Sequence, residues 1–337
     1  MKSSQKILDL LSQKSEDISF SELSQNLDIH ESTLARNLEK LIESGDVKKK
    51  SVGKNTFYSL GWTQRIRSFL KKDFFSRPKV GYNPEFLRGY VPNITSFLGK
   101  HLGRLTHSLD SGWALTSYDY QTHLRMIETL LIDLSYASSK LEGNTYSYLD
   151  TEVLIKYGES AEGKTALETQ MILNHKYVLK YIIDEKNNIW LNKKTFFELH
   201  TLLGKDILHD SQLGVIRSNP VKIWASSYTP LESQIQLECE FAIFIDKLSQ
   251  IVNPFEQSLF ILVFIPYFQL FFDINKRTSR MSCNIPLIQH WLPPLSLLQV
   301  SERDYIDAIL WVYELSDVSL LAEIYTDNYL LNLERYI

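Results

Sequence analysis

Apolar positions recur at three- and four-residue intervals along most of this chain, with two strand-like interruptions. Ile7, Leu8, Leu10 and Leu11 fall to one side of an amphipathic first helix over residues 3–13. "SFSELSQNL" (19–27) predicts a short second helix that Ser19 or Ser21 would cap, since a side-chain oxygen there satisfies a free N–H of the first turn. "DIHESTLARNLEKLIESG" (28–45) predicts a tight turn and a third helix, with Leu34, Leu38, Leu41 and Ile42 at helical spacing and Gly45 ending it. The period then changes. "DVKKKSVGKNTFYSL" (46–60) predicts two short strands around "VGKN", with basic edges. Residues 63–110 read as a connector rich in proline, glycine and aromatics ("RPKVGYNPEFLRGYVPNITSFLG"). Beyond it helical patterns dominate, at 121–141, 148–157, 165–185, 193–203, 231–251, 254–268, 275–291 and 302–333. The second interruption, "SNPVKIWASSYTPLE" (218–232), has strand-like residues around "ASS" between two prolines and predicts a small exposed hairpin.

The expected fold class is therefore mainly α: an all-helical domain with a small β-hairpin flap, plus an N-terminal winged helix-turn-helix domain over 1–62. In a DNA complex, helix 31–44 would enter the major groove, offering Ser32, Thr33, Arg36, Asn37 and Lys40. Lys48, Lys49, Lys50 and Lys54 on the wing would meet phosphates. The segment carries as many acids as bases, so a protein contact stands beside DNA as its partner. The whole chain is 44% hydrophobic and 23% charged with a net charge of −4, which excludes a uniformly basic nucleic-acid binder. "SLFILVFIPYFQLFF" (258–272) comes closest to a membrane span, but Pro266, Gln269 and the charges that follow make it a buried helix. No membrane is expected as a partner, and the N-terminus lacks an apolar signal core. Cys239 and Cys283 give neither metal spacing nor a disulfide framework, so the expected home is a reducing cytoplasm.

The chemistry concentrates in "QLFFDINKRTSR" (269–280), where an acid, an amide, a lysine and two arginines follow the most apolar run. Charge beside a core segment is costly unless something charged binds there. Asn275 begins a new helical pattern, and a helix N-terminus presents unpaired N–H groups and a positive dipole end. Arg277 and Arg280, three apart, share a face and suit a polyphosphate, while Asp273 at the mouth suits a bridging Mg²⁺. The stretch thus reads as a Mg–nucleotide site. A capped helix with a solvated charged face is the plainer alternative.

The stretch resembles the signature of the Fic family, "HPFx(D/E)GN(G/K)RxxR". Phe271, Asp273, Asn275, Lys276, Arg277 and Arg280 match; Gln269 stands for the histidine, Leu270 for the proline and Ile274 for the glycine. A branch of the family reading "YLQPFxDVNKRTSR" has glutamine at the same place. "SSKLEGN" (138–144) is similar to the family's inhibitory motif "(S/T)xxxE(G/N)", through Ser138, Glu142 and Gly143. "LH" (199–200) and "LGVIRSNPVKIWASSYTPLE" (213–232) are similar to its "GxxR" stretch and target-docking flap, with Val221, Lys222, Ile223 and Trp224 on the flap. The resemblance implies a Fic domain over 111–337 with an inhibitory helix at about 126–142, behind the 63–110 segment. It also implies transfer of AMP from Mg-ATP to a protein hydroxyl. Ile274, Asn275, Lys276, Arg277 and Arg280 would bind nucleotide, Asp273 would hold Mg, and Glu142 would inhibit by pairing with Arg280. A homodimer is compatible with the sequence.

The departures decide how much chemistry survives. Imidazole takes a proton near neutral pH, whereas the Gln269 amide does not titrate, and losing acid–base help costs roughly 10²–10⁴ in rate. No histidine occurs between His209 and His290, and the Tyr267 phenol is a poor base. At the general-base position Gln269 therefore reads as a buried hydrogen-bonding residue. Ile274 resists the positive φ that glycine would take there. Two functions follow: a slow, autoinhibited adenylyltransferase, or a nucleotide sensor coupled to a DNA-binding winged helix. A plain scaffold comes third.

Overall fold

The computed structural model describes residues 3–13, 18–43, 46–52, 55–60, 69–70, 72–110 and 120–336. The chain divides into two compact units, Met1–Pro78 and Lys79–Ile337. The first unit runs α1 Ser3–Gln13, β1 Ile18–Ser19, α2 Phe20–Asn26, α3 Glu31–Glu43, β2 Val47–Val52 and β3 Asn55–Leu60. Its sheet has the order β1-β3-β2, antiparallel throughout, with Ile18 opposite Tyr58 and Val47 opposite Leu60. The helices close over it with Ile7, Leu11, Leu23, Leu34, Leu38 and Leu41, the positions that the helical period puts on one side. Ser19 caps α2 in a reciprocal box with Glu22, which accepts from the Ser19 N–H at 3.0 Å. This is a winged helix-turn-helix.

The second unit is almost entirely helical. In order come α4 Pro84–Arg88, α5 His101–Asp110, α6 Tyr120–Lys140, α7 Tyr148–Tyr157, α8 Ala166–Asp184 and α9 Lys193–Gly204. Then follow α10 Gln234–Gln250, α11 Pro254–Phe268, α12 Asn275–Ser282, α13 Asn284–Gln289, α14 Glu302–Leu315 and α15 Ser319–Tyr336. Every residue from Leu259 to Phe268 is buried, so α11 forms the axis of the core, and Asn253 caps it by accepting from Phe255 N and Glu256 N. Buried Glu256 accepts from Phe97 N at 2.6 Å, Ser96 Oγ at 2.9 Å, Leu98 N at 3.2 Å and Tyr90 Oη at 3.2 Å. Those bonds make residues 90–98 part of this unit's packing.

The segment expected as a 63–110 connector carries α4, α5 and a short strand and from Lys79 belongs to the second unit, and three further elements differ from the sequence expectation. The 275–291 helix breaks at Cys283, because Pro286 has no N–H to return to the Ser282 carbonyl, and Asn284 Nδ2 occupies the Arg280 carbonyl at 2.9 Å. The 302–333 helix breaks at Ser316, which turns left-handed (φ 52°), and Asp317 then accepts from Ser319 N at 2.9 Å to start α15. The flap is not a hairpin. Its chain turns at Trp224–Ala225, but the only strand in it, β5 Tyr228–Thr229, pairs in parallel with β4 Val80–Gly81. Pro220 and Pro230 remove the donors that a ladder between the arms would need.

Candidate functional site

α11 ends at Gln269, whose backbone turns left-handed (φ 49°, ψ 54°) and releases a short loop into α12. Asn275, the first residue of α12, ties that loop shut. Its Oδ1 accepts from Phe271 N at 2.8 Å, and its Nδ2 donates to Phe271 O at 2.8 Å and to Gln269 Oε1 at 3.3 Å. Asp273 Oδ1 accepts from Ile274 N at 2.6 Å. Below the loop, His200 on α9 accepts from Gly214 N at Nδ1 (3.0 Å), so its Nε2–H donates to Asp273 O (3.2 Å). Its ring stacks on Phe271 at 3.9 Å between centroids, and burial lowers its pKa to about 4, keeping it neutral. Gly214 is required there: φ is 62°, and a Cβ would lie 2.4 Å from Thr201 Oγ1. The first helical bond of α12 runs from Thr278 N to Ile274 O, leaving the N–H groups of residues 275–277 without an acceptor in the helix.

The cations above the loop have unequal partners. Arg280, 2% exposed, donates from Nε to Ser138 Oγ (3.0 Å), from Nη1 to Tyr305 Oη (3.2 Å) and from Nη2 to Ser138 O (3.1 Å) and Glu142 Oε1 (2.7 Å). The second carboxylate oxygen of Glu142 lies 3.3 Å from Lys276 Nζ. Burial alone would raise the Glu142 pKa, but Arg280, Lys276 and Arg277 outweigh it and hold the carboxyl down to about 2. Arg277 is different. It is 5% exposed, its Nε and Nη1 have no hydrogen-bond partner among the described residues, and its Nη2 lies 3.6 Å from Asp273 Oδ2. A buried, half-satisfied guanidinium costs roughly 1–3 kcal/mol or more, which an anion at the loop would relieve. Asp273 faces outward beside it.

The sequence placed Glu142 at the end of an inhibitory helix; α6 stops at Lys140, and Glu142 sits in the turn beyond, where Gly143 takes φ 81°. Sequence reasoning missed His175, which lies 3.0 Å from both Ser138 Oγ and Ser139 Oγ and so props the residue that holds Arg280. Burial, with Arg277 and Arg280 nearby, lowers its pKa to about 3. The signal was a polar pair, Asn174–His175, on the apolar face of α8.

Gln269 is half-buried, with its amide engaged by protein groups. Its Nε2 donates to Pro266 O (2.9 Å) and Tyr313 Oη (3.0 Å), and its Oε1 accepts from Asn275. Tyr267, two residues earlier, is buried with its pKa raised by that burial. The geometry can seat an anion, and it supplies no proton acceptor at the position where the signature has histidine. Among the described residues no cluster of three His, Cys, Asp or Glu is built to hold a metal unaided.

On the flap Lys222 and Trp224 are exposed and Val221 and Ile223 half-buried. In the N-terminal unit Arg36 and Lys40 are exposed on α3 and Thr33 is half-buried. Asn37 corrects the expectation. Its Nδ2 donates to Thr33 O at 2.7 Å and its Oδ1 accepts from Ser4 Oγ at 2.8 Å, so it joins α3 to α1 instead of offering its amide outward. Lys49 is exposed; the side chains of Lys48 and Lys50, and all of Lys54, lie outside the described residues.

Residues 190–287 match the model of the Fic/DOC family, and residues 2–48 match a winged helix-turn-helix DNA-binding model. The first match takes in the loop and Arg280 but not Ser138 or Glu142. Protein adenylyltransferase fic-1 of Caenorhabditis briggsae is 23% identical over 263 residues, 74% of this chain and 50% of that protein. Protein adenylyltransferase Fic of Nematostella vectensis is 26% identical over 191 residues, 54% of this chain and 43% of that protein. The chain spans about half the length of these curated relatives. A Fic-domain signalling protein of Bacteroides thetaiotaomicron superposes with a TM-score of 0.57 at 18% identity, covering 72% of this chain and 96% of that one, which speaks for the fold. No helix among the described residues is long and apolar enough to cross a membrane.

Proposed function

We propose, for a chain that carries a Fic/DOC domain behind a winged helix-turn-helix domain, that the 269–280 loop and helix bind Mg-ATP and that Glu142 holds the site closed. One observation carries this reading: Arg277 is buried beside the N-terminus of α12 with two guanidinium nitrogens unpartnered among the described residues. Phosphate oxygens would complete it, with the free N–H groups of residues 275–277 beside them. Asp273, exposed beside Arg277, would hold Mg²⁺, which would neutralise charge on the phosphates. Glu142 and a phosphate compete for Arg280 and Lys276, so release of Glu142 is the condition for productive binding.

The reaction this supports is adenylyl transfer, the activity that the names of the relatives carry. A target hydroxyl oxygen bonds to the α-phosphorus, the bond to the bridging oxygen breaks and pyrophosphate leaves. The hydroxyl proton passes to water, because both functions of the Gln269 amide are already engaged. Turnover is accordingly slow, by about 10²–10⁴ relative to a site with a base. The same engagement of Gln269 favours the second reading, a nucleotide sensor that regulates DNA binding through the winged helix.

Wild type, Glu142→Gly and Arg277→Ala, each incubated with labelled ATP and Mg²⁺, decide between them. Label on protein that rises in Glu142→Gly and disappears in Arg277→Ala supports the transferase. Binding to Glu142→Gly without label supports the sensor, which must then bind a promoter sequence-selectively at several salt concentrations. Absence of ATP binding by Glu142→Gly sinks both.

A further inference from the structure

We infer that Arg217 is the positioning residue that links the flap to the anion loop. Its guanidinium is 4% exposed and makes no ion pair among the described residues. Instead it donates to three neutral carbonyls that belong to three separate stretches. Nε donates to Gln269 O at 2.6 Å, Nη1 to Asn219 O at 2.8 Å, and Nη2 to Leu231 O. Its backbone N–H donates to Leu270 O at 3.1 Å. Asn219 and Leu231 are the two feet of the flap, and Gln269 and Leu270 are the exit of α11 into the loop.

A cation suits that place because the last carbonyls of α11 carry the negative end of its dipole. It is needed because the flap has no ladder of its own: its arms lack donors at Pro220 and Pro230. The second arm has further anchors. Glu314 accepts from Ser226 Oγ at 2.8 Å and Ser227 N at 3.1 Å, and Tyr228 Oη donates to Tyr267 O at 2.8 Å. The first arm, with Trp224 92% exposed, is held at its base through Asn219 and near its tip by Ile223, which packs on the core. The base of the first arm is thereby tied, through Arg217, to the carbonyl of the same Gln269 whose side chain Asn275 holds in the loop. That the flap docks a target protein rests on the proposed function; the link itself does not.

Trypsin provides the reading, since Lys222 is exposed on the first arm. On the full chain, cleavage after Lys222 is followed by mass spectrometry and compared with cleavage after Lys180 and Lys205, which lie outside the flap. Arg217→Ala is expected to speed the Lys222 cut by about tenfold or more, with the two reference cuts unchanged. Arg217→Lys, which keeps donors but not the three-pronged geometry, is expected to fall between, and it decides alone if Arg217→Ala does not fold. Asn275→Ala, remote from the flap in sequence, is expected to speed the same cut, which mere space-filling by Arg217 would not produce. An unchanged Lys222 cut in the Arg217 variants, equal acceleration at all three lysines, or no response to Asn275→Ala overturns the inference.

Discussion

Ile274 stands at φ 63°, a conformation that β-branched residues resist, yet its side chain is buried in one apolar cluster with Leu199, Leu203 and Met281. Left-handed strain costs about 1–3 kcal/mol, whereas removing a buried isoleucine costs roughly 2–5 kcal/mol. Burial wins, so Ile274→Gly is expected to lower unfolding free energy by ~1–3 kcal/mol in denaturant titration despite relieving the backbone. At Gln269 the missing function is a proton acceptor. Gln269→His in the Glu142→Gly background is expected to raise label transfer by about 10²-fold or more; an unchanged rate would place the limit elsewhere. The Glu142 carboxyl titrates low, at about 2. A depressed pKa contributes stability that is complete above the ordinary carboxylate range and lost as pH falls through about 2, so the closed state is expected to be unchanged from pH 5 to 8. The melting temperature of wild type minus that of Glu142→Gln, measured across that range, checks it. The identity of these residues was legible in the sequence. Gln269 read as a hydrogen-bonding residue, but its partner Tyr313 did not show, and the inward bonds of Asn37 and His175 were not legible at all, because they depend on groups such as Ser4 and Ser138 that are distant in sequence.

α3 shows both the reach and the limit of a helical pattern. Leu34 and Leu38 are buried where the period puts them, and Arg36 and Lys40 face outward. If the helix meets DNA, Arg36→Ala and Lys40→Ala are each expected to reduce the salt slope of binding by about 1, measured by titration at several ionic strengths. Asn37→Ala should instead destabilise the N-terminal unit by roughly 1 kcal/mol through loss of the tie to α1. Elsewhere the period located helices well and located their ends poorly. α12 and α13 read as one helix because apolar spacing continues through Cys283, while the missing Pro286 N–H acts on a single bond. "YNPEF" did hold a start signal, Asn before Pro, and Asn83 caps the short α4 there.

For the larger unit as a whole, the Glu142–Arg280 ion pair joins the turn after α6 to α12. Breaking one side of such a buried pair typically costs ~3–5 kcal/mol, so Glu142→Gln is expected to melt earlier than wild type by several degrees. On the proposed reading, ATP with Mg²⁺ at a hundred times its dissociation constant returns about 2.7 kcal/mol, and it should raise the melting temperature of the variant more than that of wild type. Equal shifts in the two proteins would mean that Glu142 does not compete with the nucleotide.

The sequence alone determined the helical unit, the winged helix ahead of it and the residues of the 269–280 loop. Those follow from local period, caps and a compact motif, all set by neighbours within a few residues. Tertiary structure decided which charges are spent and which are left. Arg280 is consumed by Ser138, Glu142 and Tyr305, half-buried Gln269 bonds to Tyr313, and the flap is held by Arg217, Glu314 and the Tyr228–Tyr267 bond instead of a ladder between its arms. Each outcome depends on groups brought together from distant parts of the chain, where burial makes every unpaired donor expensive and every available partner decisive.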